Sequence, residues 1–328
     1  MSQKKVIGVG APIVDLLALV PESFVEGIPG AKGGMVMVSP EEQQALVEAL
    51  PEPPLRAPGG AAANTICALG KMGTPVAFLG KVGDDADGRY YLEAFAACGG
   101  DTSRFKHTTE KNTARCLSLI TPDAARTMRT DLGATLLLRP EEVTAADFAG
   151  YDHVFIEGYL LFNPPLAEAA LRAAKEAGCT VSLDMGSFEI VRMLRDKLPR
   201  LLSEYVDAVF ANEDEAREFI GKDAPLEALD AFSAHCGTVA VKLGADGAWV
   251  RDRGETVRVA ALPVEHAVDS TGAGDCWAAG FLYGWLRGWP TARCGELASL
   301  LGAETVQVLG AQPDPAGWER ILGRIGGG

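Results

Sequence analysis

Asp269-Ser-Thr-Gly-Ala-Gly-Asp275 runs directly into the apolar stretch Cys276-Trp-Ala-Ala-Gly-Phe-Leu-Tyr-Gly-Trp285, and this junction decides how the rest of the chain is read. Gly272 and Gly274 permit a bend in which successive N–H groups point the same way. The apolar segment predicts a buried helix, whose first N–H groups have no partner inside the helix. Gly272, Ala273 and Gly274 would then form an anion hole, a nest of donors at the positive end of a helix dipole. A carboxylate fixed there, Asp275, would repel a merely bound anion. It fits a base that takes the proton of an attacking hydroxyl while the backbone holds a transferring phosphoryl group. The same residues also fit a plain helix cap, because Asp-Ser-Thr-Gly clusters commonly precede helices.

Composition narrows the classes. With 328 residues, 48% hydrophobic and 23% charged, the chain can bury a sizeable core in one large α/β domain or two. A formal net charge of −14 argues against nucleic acid or an anionic membrane as the main partner. No run approaches the ~18 apolar residues of a membrane helix. Only the short Val6-Ile-Gly-Val9 follows Met1-Ser-Gln-Lys-Lys5, so no signal peptide is expected. Seven scattered cysteines without a Cys-x-x-Cys read as reduced core residues of a cytoplasmic protein. The four histidines show no ligand spacing, which leaves a structural transition-metal site unsupported.

Strand-like and helical runs alternate through most of the length, predicting a mostly parallel sheet with helices on both faces. Residues 6–10, 76–79, 153–157, 180–184, 208–211 and 239–243 read as strands; 61–72, 165–177 and 214–220 read as helices. Two regions break the alternation. Residues 113–120 and 126–130 flank Thr121-Pro-Asp-Ala-Ala125, a hairpin signal. Residues 16–20 and 34–38 flank a Pro/Gly-containing loop, and the two regions together predict a small β-sheet lid. Pro51-Glu-Pro-Pro54 is the clearest hinge, and the terminal Gly326-Gly-Gly328 is expected to fray.

Three further stretches fit phosphoryl transfer, each with a plainer alternative. Gly8-Val-Gly10 lacks the third glycine of a dinucleotide fingerprint, and no Gly-x-x-x-x-Gly-Lys-[Ser/Thr] occurs. Pro58-Gly-Gly-Ala-Ala-Ala-Asn64 lets backbone approach a ligand at Gly59 and Gly60 and offers the Asn64 amide to a hydroxyl, or is simply a loop before a tightly packed Ala helix. Asn212-Glu-Asp-Glu215 puts Asn212 and Glu215 on one helix face, where oxygen ligands could orient hydrated Mg²⁺, or caps the helix. Val241-Lys-Leu-Gly-Ala-Asp-Gly247 brings Lys242, Gly244 and Gly247 toward nucleotide phosphates, or forms an ordinary β-turn.

These residues together resemble the ribokinase-like (PfkB) carbohydrate and nucleoside kinases over almost the whole chain. Gly59-Gly60…Asn64 with Gly80-Lys-Val-Gly-Asp-Asp-Ala-Asp-Gly88 is similar to that family's N-terminal signature, and Asp269–Asp275 to its C-terminal one. The resemblance implies a Rossmann-like αβα sandwich, a single domain over 1–328, with a β lid formed by 14–40 and 108–132. It implies that Asp275 is the base and Gly272, Ala273 and Gly274 the anion hole. It places Asp15, Gly59, Gly60 and Asn64 at the acceptor, Asn212, Lys242, Gly244 and Gly247 with the anion hole at ATP, and Glu215 at Mg²⁺ through water. A monovalent cation such as K⁺ would sit near Asp269, Thr271 and Gly310. The partner expected is a small molecule, bound by a monomer or a homodimer. Within the family, residues 113–128, Leu132-Gly-Ala134 and Glu157-Gly-Tyr-Leu160 are most similar to bacterial adenosine kinases, with Leu16, Met128, Leu132, Tyr159 and Phe162 as candidates for a base slot. Adenosine kinases commonly carry Asn where this chain has Ala11. A sugar kinase of the same fold, or a silent nucleoside-binding regulator, are the alternatives.

Overall fold

The computed structural model describes residues 3–123 and 125–326. Its body is a nine-stranded sheet. In spatial order the strands are Glu255–Val259, Ala248–Asp252, Thr238–Lys242, Ala208–Asn212, Thr180–Asp184, His153–Glu157, Val6–Val9, Val76–Leu79 and Gly100–Asp101. Strands from Thr238–Lys242 onward are parallel, and Ala248–Asp252 runs antiparallel to both of its neighbours, Thr238–Lys242 and Glu255–Val259, at one edge. Val6–Val9, Val76–Leu79 and His153–Glu157 are buried at every position, as a parallel strand covered on both faces must be.

Alternation along each strand divides the core in two. Val6, Phe78, Phe155 and Phe210 face the helices Ala61–Lys71, Ala273–Trp285 and Thr291–Thr305. Ile7, Leu79, Ile156, Leu183 and Val209 face the helices Pro164–Glu176, Phe188–Leu194, Glu213–Ile220 and Pro225–Ser233. Gly8 belongs to the packing: a Cβ there would lie 2.5 Å from Ile66. The alternating reading of the sequence therefore holds, and the structure is an α/β sandwich of the expected kind.

The second sheet has five strands, in the order Met35–Met37, Arg126–Asp131, Ala114–Ile120, Ile13–Leu19 and Leu55–Gly59. The hairpin read around residue 121 is present, with Ile120 opposite Arg126, although Ala124 lies outside the described residues. Two details differ from the sequence reading. The strands near 16–20 and 34–38 do not pair with each other; the hairpin is inserted between them. Leu55–Gly59, directly after the Pro-rich hinge, is a fifth strand that the sequence reading left out, because Pro58 and Gly59 depress strand propensity and are tolerated only at a sheet edge. Asp15 lies within Ile13–Leu19, opposite Ala57.

Gly80–Gly88 is the joint between the sheets. Asp85 caps the helix Ala86–Ala97 through Gly88 N–H (2.7 Å) and accepts from Thr113 N–H (2.7 Å). Asp87 pairs with Arg56 and Arg115, which stand on two different strands of the small sheet. At the far end, Gly326 closes the last helix, and the Gly327 and Gly328 expected to fray lie outside the described residues. Among the described residues, no helix is long and apolar enough to cross a membrane.

Candidate active site

Four adjacent parallel strands each end in a polar residue: Glu157, Asp184, Asn212 and Lys242. Glu157 is in register with Asp184, and Asn212 with Lys242. They form a row along the carboxyl edge of the sheet, where open α/β sheets bind ligands.

Asp184 and Lys242 make a largely buried ion pair at 2.8 Å. Burial pulls the lysine's pKa down; the carboxylates of Asp184 and Glu215 more than offset it and hold the ammonium above its usual range. Its Nζ lies 3.2 Å from where a Cβ on Gly274 would stand, so Lys242 faces the glycine turn. Gly244 and Gly247 lie in the next turn, a single 3₁₀ loop closed by Leu243 N–H to the Gly247 carbonyl at 2.7 Å.

The turn itself is built as its sequence requires. Gly272 is the N-cap of the helix Ala273–Trp285, with φ of 70° and no side chain to cap it. A Cβ there would also lie 2.5 Å from the Ala311 carbonyl, so only glycine fits. Ala273 N–H reaches the Ser270 carbonyl at 3.3 Å and Cys276 N–H the Gly272 carbonyl at 2.8 Å. The N–H groups of Gly274 and Asp275 between them have no partner among the described residues, and they stand at the positive end of the dipole.

Asp275 is tied to a different helix: Asn64 Nδ2 donates to its Oδ2 at 2.9 Å, and Thr65 Oγ1 donates to its carbonyl at 3.1 Å. Desolvation pushes its carboxyl up to about 7, against the Asn64 hydrogen bond and the charges of Lys242 and Arg126, with Asp184 adding to the rise. The group is half-buried, and a carboxyl raised toward neutrality suits proton transfer at neutral pH.

Asp15 and Gly59 meet at the base of the small sheet. A Cβ on Gly59 would fall 2.3 Å from Asp15 Oδ2, so the missing side chain is the space the carboxylate occupies. Burial raises Asp15 to about 6, with Arg126 opposing and Asp269 reinforcing. Gly60, the N-cap of the helix Ala61–Lys71, packs against the Ala11 carbonyl. Glu157, fully buried, receives Ala11 N–H at 2.8 Å and Ala62 N–H at 3.0 Å, binding the start of that helix to the sheet. Its carboxyl is pushed up to about 7, first by burial. Arg126 crosses from the small sheet and donates to Thr271 Oγ1 in the glycine turn.

The residues read as cation ligands gather in two places. Asp269 accepts from Thr271 N–H (2.9 Å), Thr271 Oγ1 (2.6 Å) and Gly310 N–H (3.0 Å), so one carboxylate ties both loops together. Glu215 accepts from Asn212 N–H (2.7 Å) and Asn212 Nδ2 (2.9 Å), and its own N–H donates to Asn212 Oδ1 (2.9 Å). That is a closed capping box. Burial, then Asp184, lifts Glu215 to about 7. Crowded carboxylates of this kind suit a divalent cation bound through water, which would relieve their repulsion. No cluster of three or more His, Cys, Asp or Glu side chains at metal-binding geometry occurs among the described residues.

Asp184, Glu157 and Arg126 were missed as site residues in the sequence. The first two carry a usable signal, a single carboxylate closing an apolar strand run; Arg126 carries none, since it looks like any hairpin arginine. Of the proposed base-slot residues, Leu16 is core, Met128 and Leu132 are half-buried, and Tyr159 and Phe162 are exposed, with ring centroids 6.4 Å apart. Desolvation, then the charges of Glu215, Glu157, Asp275 and Asp184, push the Tyr159 phenol upward.

Open N–H groups at a helix start, beside a carboxyl pushed up to about 7, suit the movement of a phosphoryl group onto a hydroxyl, and the chain is a phosphotransferase acting on hydroxyl groups. Residues 42–316 match the pfkB family carbohydrate kinase, and the chain belongs to that family, whose kinases use ATP. The crystal structure of adenosine kinase from Sinorhizobium meliloti is similar at a TM-score of 0.88 and 31% identity, covering 98% of this chain and 100% of that one. A probable sugar kinase from Rhizobium etli matches at a TM-score of 0.86 and 31% identity, covering 99% of each. The ATP-dependent ribose-1-phosphate kinase of Halopiger xanaduensis is 32% identical over 257 residues, 78% of this chain and 83% of that protein. The chain is thus a kinase of a sugar or nucleoside.

Proposed function

We propose that this single-domain, cytoplasmic kinase transfers the γ-phosphoryl group of ATP to the 5′-hydroxyl of adenosine. The observation that carries the mechanism is the uncapped turn at Gly272–Gly274 with Asp275 beside it, its carboxyl at about 7. Asp275 takes the 5′-hydroxyl proton as the new P–O bond forms. The free N–H groups of the turn and the Lys242 ammonium hold the charge that develops on the phosphoryl oxygens. Asp15, with Gly59 and Gly60 beside it, holds the ribose hydroxyls, and Asn64 aligns the base. Gly244 and Gly247 border the nucleotide. Mg²⁺, oriented through water by Glu215 and close to Asn212, would neutralise the phosphates, and K⁺ would fix the Asp269–Thr271 and Gly310 loops from their carbonyl side. The small sheet, anchored through Asp87, acts as the lid, and Arg126 brings positive charge from it to the glycine turn.

Adenosine as acceptor is supported by the 31% identity to the Sinorhizobium adenosine kinase over nearly the full length, and by the exposed, stacked pair Tyr159–Phe162, which offers a planar base an aromatic surface. A furanose sugar is the second reading, favoured by Ala11 and by the similarity to the ribose-1-phosphate kinase. ATP consumption with adenosine, ribose, fructose and ribose 1-phosphate separates them: adenosine should have the highest kcat/KM, and turnover no better than that of the sugars would overturn the nucleoside reading. Asp15→Ala should weaken acceptor binding about tenfold or more, since it loses charge-assisted hydrogen bonds, and leave ATP binding nearly unchanged. Equal losses for both ligands would remove Asp15 from the acceptor site.

A further inference from the structure

The loop between the helices Thr291–Thr305 and Pro315–Gly326 touches both sides of the base. Gly310 N–H donates to Asp269, and the Ala311 carbonyl accepts from Cys276 Sγ at 3.4 Å. Gln312 follows, half-buried, with its Nε2 3.0 Å from the Asn64 carbonyl and 3.7 Å from Cys276 Sγ. A carbonyl can only accept, so the nitrogen of the amide must be the end that faces Asn64. The other end, Gln312 Oε1, is buried without a donor among the described residues. Leaving a buried acceptor unsatisfied is unfavourable, so the oxygen end of the side chain does not account for a glutamine here.

Its contacts do. Asn64 and Cys276 lie on the two helices whose meeting point is the 2.9 Å bond from Asn64 to Asp275. A single amide nitrogen holds the main chain of Asn64 next to the residue that follows Asp275. We propose that Gln312 is a positioning residue that sets the approach of Asn64 to Asp275, and so the basicity of that carboxylate. The proposal rests on Asp275 being the base.

The sign follows from the bond. Asn64 donates to the charged form of Asp275 and lowers its pKa; a slack Asn64 lets the pKa rise. Gln312→Met keeps the volume and removes the donor. Turnover should fall about tenfold, as expected for a misplaced catalytic pair, with KM for ATP and for the acceptor within about twofold of wild type. The acid limb of the pH–rate profile should move up by about half a unit or more, and thermal stability should hold. Gln312→Asn, too short to reach Asn64 yet polar, should reproduce the limb shift and serves if the methionine variant folds poorly. In an Asn64→Ala background the Gln312 substitution should move the limb no further. An unshifted limb in both single variants, or a full shift without Asn64, would overturn the proposal. Asp275→Asn with wild-type turnover would instead overturn the base assignment beneath it.

Discussion

The helices Glu213–Ile220 and Ala273–Trp285 begin with the same arrangement and end in opposite states. Each has a carboxylate three residues past its N-cap, Glu215 after Asn212 and Asp275 after Gly272. In the first, the N-cap side chain and the acid satisfy each other, and the helix end is closed. In the second, glycine has nothing to offer, the acid turns away to Asn64, and the N–H groups of Gly274 and Asp275 stay open. An acid in the first helical turn is therefore no signal by itself. The residue at the N-cap decides whether that acid is spent on the helix or left for a ligand.

The sharpest way to break the comparison is Asp275→Asn. The amide keeps the size and can still bond to Asn64, but cannot act as a base, so turnover should fall by about 10²–10⁴. In the wild type, kcat/KM should decline as pH drops below about 7, where Asp275 takes up its proton. Stability should move the other way. The folded pKa is raised above the unfolded one near 3.8, so between pH 4 and about 7 the native state holds more protons, and stability is lost as pH rises through that window. The amide removes this penalty, and at pH 8 the variant should melt about a few degrees higher than wild type. Turnover and calorimetry on one preparation check both; near-normal turnover would reduce the Gly272 turn to an unusual cap.

Glu215→Gln comes next. If the closed box also serves the metal, removing the charge should lower turnover about tenfold or more and raise the Mg²⁺ needed for half-maximal rate. The new amide would present N–H groups to the Asn212 donors, so a small loss of melting temperature should accompany it. Full activity at low Mg²⁺ would leave Glu215 as a cap only.

The two helix starts also show what could be read in the chain. The Asp269–Asp275 motif announces itself because its glycines have no other use: Gly272 at φ 70° against Ala311 tolerates nothing larger. Six of the parallel strands were legible to within a residue or so, because burial on both faces demands unbroken apolar runs; the short edge strand Gly100–Asp101, not fully buried, was not read. The pairings of Asp184 and Arg126 were not legible, because their partners Lys242 and Thr271 are 58 and 145 residues away. Spacing in sequence carries no information about such pairs; only the folded arrangement does. Leu55–Gly59 was lost for the opposite reason, its local composition arguing against a strand that the neighbouring Ile13–Leu19 imposes.

Asn212→Ala is the smallest effect expected and the finest test of the closed helix. The Asn212 amide gives its oxygen to Glu215 N–H and one N–H to Glu215 Oε1, so a second N–H remains for a phosphate oxygen. Alanine removes the cap, at about 1 kcal/mol of stability, and that single remaining donor. Glu215 keeps its bond from the Asn212 backbone N–H, which no side chain supplies, and so keeps its place. The expected outcome is a melting temperature lower by about 2 °C, a KM for ATP raised about threefold, and turnover within about twofold of wild type. Titrating ATP at saturating acceptor, alongside a melting curve, measures all three. A loss of turnover as large as that of Glu215→Gln would mean the box acts as one unit in the chemistry, and the contrast with the Gly272 turn would then be one of degree. A fall in melting temperature with unchanged kinetics would make Asn212 a cap and nothing else.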